Sequence, residues 1–160
     1  MSVETVKEYL KQWNLDTRVQ EFDVSSATVE LAAEALHCEG ARIAKTLSFA
    51  LGDAAILIVT AGDAKIDNTK YKAQFGTKAK MLSYDDVAAK TGHTVGGVCP
   101  FAILPDVAVY LDASLRRFAT VYPACGSANS AIELTPAELE TCVPNAQWVD
   151  VCKGWNDSAE

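Results

Sequence analysis

The sequence predicts an α+β fold: one domain with a mixed, largely antiparallel β-sheet flanked by short helices. Three observations carry this. Arg42 to Leu51 alternates with period two and leads, through Gly52 and Asp53, into the apolar run Ala54 to Thr60, a pairing that reads as a hairpin ending in a central strand. Helix-start signals elsewhere head only short segments, and strands and helices do not alternate regularly, which argues against a Rossmann arrangement. The chain has 160 residues, 49% of them hydrophobic, enough for one real core and too few for two domains of ordinary size.

In chain order, Val3, Val6, Leu10 and Trp13 recur at helical spacing and predict an amphipathic helix ending near Asn14. Val19 to Val24 is a short strand candidate. Alanine, leucine and glutamate favour a second helix over about Ala27 to Leu36, capped by Ser25 or Ser26. The hairpin follows. Asp67 caps a helix through Phe75, which Gly76 ends; Lys80 to Leu82 is a brief strand candidate; Ser83 caps a helix with Asp85 and Asp86 in its first turn, and Gly92 closes it. Gly96 to Ile103 and Val107 to Leu111 read as strands. Thr135, Pro136 and Glu138 form a capping box with proline at the first helical position, and Gln147 to Val151 is a last strand candidate. No repeat, low-complexity tract or Pro/Gly-rich linker interrupts the chain.

Charge and cysteine content narrow the function classes. The net charge of −7 argues against coating the whole surface with nucleic acid, yet five lysines (Lys65, Lys70, Lys72, Lys78, Lys80) face one acid, Asp67, between 65 and 80. This run is either a solvated face or a local phosphate-binding patch. Five cysteines without a CxxC pair argue against a disulfide framework and a thiolate zinc site, so no metal or cofactor is expected. The N-terminus has no basic region followed by an apolar stretch, and no apolar run approaches the roughly 18 residues of a membrane span, so a soluble, cytoplasmic protein is expected.

Lys45 is the most informative residue. It shares its parity with Ile43, Leu47, Phe49 and Leu51, where a buried ammonium is costly; it either snorkels to water or enters a pocket that uses its charge. The segment Gly96, Gly97, Val98, Cys99, Pro100, Phe101 is the second feature. It reads as a bulge or tight turn, or as a pocket wall whose amides bond a carbonyl oxygen or developing oxyanion. A third glycine loop, Tyr122 to Asn129 around Gly126, can supply a facing wall. Cys99 as a nucleophile would need a base, for which His93 is the regional candidate; the alternative is a small residue packed beside the glycines. Arg116 and Arg117 either assist a phosphate or are solvated.

A lysine on the strand after the second helix, the GGVCPF segment about fifty residues later, the strand Val109 to Asp112 and the stretch PACGSANSAIELTPAEL together resemble the YbaK/EbsC family, the prolyl-tRNA synthetase-associated editing domains and their free-standing relatives. The resemblance runs from about Val19 to Val151. It implies a barrel-like sheet and a domain plan of an N-terminal helix at 1–18, an editing core at 19–151 and an acidic tail at 152–160. It implies an aminoacyl-tRNA deacylase acting in trans on misacylated tRNA, typically proline tRNA carrying cysteine or alanine. By the family pattern Lys45 matches the essential lysine, Gly96, Gly97 and Pro100 the loop that holds the aminoacyl group, with Cys99 beside them, and Gly126 with Ser127 the second loop. The implied partners are the 3′ aminoacyl end of a tRNA, with Lys70, Lys72, Lys78 and Lys80 as candidate tRNA contacts, and prolyl-tRNA synthetase. Ser127, Ala128, Asn129 and Ser130 stand where some subfamilies carry a histidine or another polar residue, which leaves the edited amino acid open.

The chemistry suits that reading. An aminoacyl ester is already reactive, so positioning a water and stabilising the oxyanion suffice, and a cysteinyl substrate carries its own thiol. Lys45 either stabilises the oxyanion or anchors phosphate or ribose. Two rivals stay open: a non-catalytic module that binds an aminoacyl or nucleotide group, and a thiol hydrolase centred on Cys99.

Overall fold

The structure is a computed structural model, and it describes residues 3–93 and 97–155. Helix α1 (Val3–Leu10) buries Val3, Val6 and Leu10 and continues as a 3-10 turn, Lys11–Trp13, that Asn14 ends in the left-handed conformation. After a second 3-10 turn come β1 (Gln20–Glu21) and α2 (Val29–Leu36). The cap of α2 is Thr28, whose hydroxyl accepts from Leu31 N, so the helix starts two residues later than the serines suggest. Ser26 is occupied otherwise: its amide donates to Ala128 O at 2.6 Å.

The hairpin of β2 (Ile43–Leu51) and β3 (Ala54–Ala61) forms as expected, turned by Gly52 at φ +60°. β4 (Lys65–Ile66), α3 (Asn68–Phe75) and α4 (Tyr84–Thr91) follow, and Asp67 and Ser83 cap the two helices with their side chains as predicted. Gly76 and Gly92 end them at positive φ. The strand expected over Gly96 to Ile103 is absent among the described residues: 97–103 is irregular, Pro100 offers no ladder donor, and Ala102 takes φ +53°. Gly96 lies outside the described residues. Lys80 to Leu82 contributes one bridge, Met81 to Phe49.

The remaining elements are β5 (Ala108–Asp112), β6 (Tyr122–Pro123), β7 (Ser130–Ala131), α5 (Pro136–Cys142), β8 (Gln147–Val149) and β9 (Cys152–Lys153). The capping box of α5 closes in both directions between Thr135 and Glu138. Cys152 and Lys153, assigned above to a tail, pair with β4 instead.

The main sheet runs β6-β2-β3-β5-β8. Its longest ladder, β2 with β3, is antiparallel, as are the accessory ladders β1 with β7 and β4 with β9; β6, β5 and β8 join in parallel. The sheet is therefore mixed. Leu57, Ile58, Val59, Leu111, Leu115 and Leu139 are fully buried in one core, which α1 enters through Val6 and Leu10. The buried Asp112 carboxylate ties the far side together by accepting from Ser114 N (3.0 Å) and Val151 N (2.9 Å), and Ser114 Oγ accepts from Ala61 N.

Candidate active site

A cavity of about 490 Å³ opens between the start of α2, the first six residues of β2, the segment from Met81 to Val87, and the loops that carry Val98 and Ala124. Lys45 is the third residue of β2, opposite Thr60 of β3, and lines this cavity half-buried. Its Nζ lies 3.5 Å from the carbonyl oxygen of Gly62, and none of the described carboxylates forms a salt bridge with it. Burial pushes its pKa below the ordinary 10.5, while Asp63 and Glu30 nearby pull the other way. A cation that is partly stripped of water and not neutralised by contact is poised to interact with an anion brought to it.

The same strand brings Ala44, Thr46 and Ser48 to the cavity. The Thr46 hydroxyl oxygen is buried without a hydrogen-bond partner, and buried Ser130 adds a further hydroxyl to the wall. Sequence reading missed Ala44, Thr46 and Ser48 as cavity residues. The available signal was the second parity of β2, small or hydroxylated at every position from 44 to 50, which leaves room beside the strand.

The two glycine loops touch. A Cβ at Gly97 would stand 2.9 Å from the Gly126 carbonyl carbon and oxygen and from Ser127 N, so the backbones pack directly, with Gly126 at φ +92°. Neither glycine lines the cavity; their contact sets Val98 and Ala124 in its wall. Ser127 stands just behind, its Oγ 2.7 Å from Ser130 Oγ and 2.9 Å from Asn129 Oδ1. Asn129 in turn bonds the backbone of Phe22, closing the loop over β1.

Cys99 and Pro100 do not line the cavity, although the Cys99 thiol is held against the Gly126 backbone. Cys99 is fully buried, with its thiol 3.6 Å from His93 Nε2 and 3.7 Å from Phe101 O, and burial pushes its pKa up to about 12. His93 is no base for it: Nε2 sits 2.7 Å from Phe101 O, and burial holds the ring below its usual pKa. Pro100 lines a second, smaller hollow with Tyr9, Val107 and Pro144. The described residues lining the main cavity include no histidine, cysteine, aspartate or glutamate, so Lys45 is the one ionisable group among them apart from the tyrosines.

Residues 23–142 match the family described as the aminoacyl-tRNA editing domain. The chain belongs to that family. It is 57% identical, over 97% of its length and 99% of the relative's, to the Bacillus subtilis protein YwhH, whose name assigns no function. It is 28% identical, over 91% of its length and 84% of the relative's, to an Enterococcus faecalis protein named "Putative Cys-tRNA(Pro)/Cys-tRNA(Cys) deacylase EbsC". A solved structure described as "a putative trans-editing enzyme for prolyl tRNA synthetase" superposes with a TM-score of 0.85 at 27% identity, covering 95% of this chain and 97% of that one.

The basic side chains of this editing domain divide into engaged and exposed sets. Lys70 is tied down by Asp150 Oδ1 and Cys152 O, both at 3.0 Å. Arg117 clamps Asp63 with two hydrogen bonds and stacks near Trp155, while Arg116 is exposed with its guanidinium 4.0 Å from the Trp148 ring centroid, and neither arginine lines the cavity. Lys72, Lys78 and Lys80 are exposed, and Lys80 adjoins the cavity segment at Met81. Among the described residues no group of three His, Cys, Asp or Glu converges as a metal site, and no helix is long and apolar enough to cross a membrane.

Proposed function

We propose that this chain hydrolyses the ester of misacylated tRNA, removing a small wrong amino acid, cysteine or alanine, from proline tRNA. The observation that carries the reading is the half-buried Lys45 ammonium on the wall of a cavity that holds no other charged described side chain. Family membership supports the deacylase class, and the names of the EbsC and trans-editing relatives support the proline-tRNA assignment. The same relatives favour prolyl-tRNA synthetase as a partner, as does the 32% identity to part of a Shouchella clausii proline–tRNA ligase, over 62% of this chain and 17% of the ligase.

In this reading the aminoacyl group enters beside Thr46, Ser48 and Ser130, and Lys45 faces the ester carbonyl. Water oxygen bonds the carbonyl carbon, the carbonyl oxygen gains negative charge against the ammonium, and the ester oxygen then leaves on the ribose with the proton that water releases. A fixed charge in a partly dry site stabilises that oxyanion more than water does. A cysteinyl substrate can place its own thiol on the carbonyl carbon instead of water, so that the ester C–O bond breaks, the thiol proton leaves with the ribose oxygen, and a thiolactone forms that water then opens to cysteine. The glycine contact Gly97 to Gly126 holds the facing wall, and Ser127 orients Ser130.

The test is a panel of proline tRNAs charged with cysteine, alanine, serine or proline and incubated with the purified protein. Release of cysteine or alanine with proline retained supports the assignment. Equal stability of every ester with and without protein overturns it in favour of a binding module.

A further inference from the structure

The rim of the cavity carries a surface that the hydrolytic reading does not use. Tyr84 is 77% exposed and Met81 58% exposed, and both border the cavity mouth. Apolar side chains left in water forgo the free energy that a covering partner would recover. This pair is also held firmly. Ala50 N donates to Lys80 O at 2.8 Å, Leu82 N donates to Ser48 O at 3.1 Å, Met81 bridges Phe49, and Ser83 caps α4 directly before Tyr84. Lys78 and Lys80 are exposed just upstream, whereas exposed Asp85 and Asp86 lie downstream on α4.

An aromatic face next to a pair of cations is what an unpaired nucleotide segment requires: bases stack on the ring while phosphates follow the lysines. Resting on the proposed tRNA substrate, we propose that Tyr84 and Met81 form a stacking platform for the single-stranded 3′ end of the tRNA, with its phosphates directed toward Lys78 and Lys80. The acids at 85 and 86 set the polarity, because they repel the phosphate backbone from the α4 side and leave the lysine side open.

The platform is tested by fluorescence anisotropy with a labelled single-stranded ribonucleotide ending in CCA and with uncharged tRNA. Tyr84→Ala is expected to weaken both complexes about tenfold with little change in salt dependence, and Tyr84→Phe to restore them. Lys78→Ala with Lys80→Ala is expected to lower the magnitude of the slope of log K against log salt by about 1.4. Tyr84 is too exposed for its loss to unfold the chain, which thermal melting checks. Binding of both probes by Tyr84→Ala at wild-type strength overturns the platform, as does wild type binding neither probe. These readouts need no hydrolysis: a wild type that binds RNA through Tyr84 and cleaves no ester sinks the deacylase assignment alone. A Tyr84→Ala protein with wild-type affinity and an unchanged KM for misacylated tRNA sinks the platform alone.

Discussion

Gly62 packs against Gly40 so closely that a Cβ at 62 would stand 2.0 Å from the Gly40 carbonyl oxygen, and the carbonyl of the same Gly62 is the acceptor 3.5 Å from Lys45 Nζ. The contact between the α2–β2 loop and the end of β3 therefore also sets the position of the candidate catalytic ammonium. Gly62→Ala must separate the two segments, since the obstructing atom is backbone. We expect a loss of about 1–3 kcal/mol in urea unfolding, the usual range for overpacking, together with a lower kcat. A variant with wild-type stability and turnover would show that the two segments are not rigidly joined.

Lys45→Ala should lower kcat for a misacylated tRNA by about 10²- to 10³-fold, the range for losing one oxyanion-stabilising group, with little effect on KM. A rise in KM at constant kcat would instead make Lys45 an anchor for phosphate or ribose. Because burial lowers the Lys45 pKa, background-corrected turnover should decline as pH rises, beginning below the 10.5 of an ordinary lysine. Asp63 raises that pKa, so Asp63→Asn should move the decline to lower pH; an unmoved profile would detach the decline from Lys45.

The stability consequence of the same lysine has the opposite sign from a salt bridge. A folded pKa below the unfolded value means that the charge opposes folding, fully below the folded pKa and no longer above the unfolded one. Lys45→Met should therefore unfold at higher urea than wild type at pH 7, and the gap should narrow toward pH 10.5. Equal midpoints at pH 7 would mean that the ammonium is effectively hydrated.

Cys99→Ala should retain deacylase activity. The buried thiol, pushed up to about 12, should react with iodoacetamide at pH 8 only on unfolding, far more slowly than an exposed cysteine. Rapid alkylation of native protein at Cys99, with loss of turnover, would return this cysteine to the mechanism.

Lys70 should behave differently from its neighbours. Lys70→Glu breaks contacts to Asp150 and Cys152 O and is expected to lower the melting temperature, while Lys72→Glu with Lys78→Glu weakens tRNA binding and flattens its salt dependence. A salt slope that responds to Lys70 alone would reverse this division.

Local signals were the legible part of the fold. Asp67, Ser83 and the Thr135 to Glu138 box act within four residues of their partners, and the β2–β3 hairpin needs only a two-residue turn, so each was readable from adjacent sequence. Thr28 displaced the predicted serine caps because the Ser26 amide is drawn to Ala128, a partner 102 residues away. Segment 97–103 lost its strand for a similar reason, the contact of Gly97 with Gly126. The partners of Arg116 and Arg117, the Trp148 ring and the Asp63 carboxylate, are distant in the chain, so adjacent sequence left open whether the pair meets a phosphate or is solvated.

By itself the sequence determined that one α+β domain would form and that Lys45 would stand near the start of a hairpin strand, since periodicity, capping and turn chemistry act over a few residues. Tertiary structure decided which side chains share the cavity: it brought Thr46, Ser130, Met81 and Tyr84 to the space beside Lys45, buried Cys99 away from it, and turned Pro100 toward another hollow. Parallel pairing of β6 and β5 with the hairpin, and of β8 with β5, is made between segments apart in the chain, and no local preference specifies which of them meet.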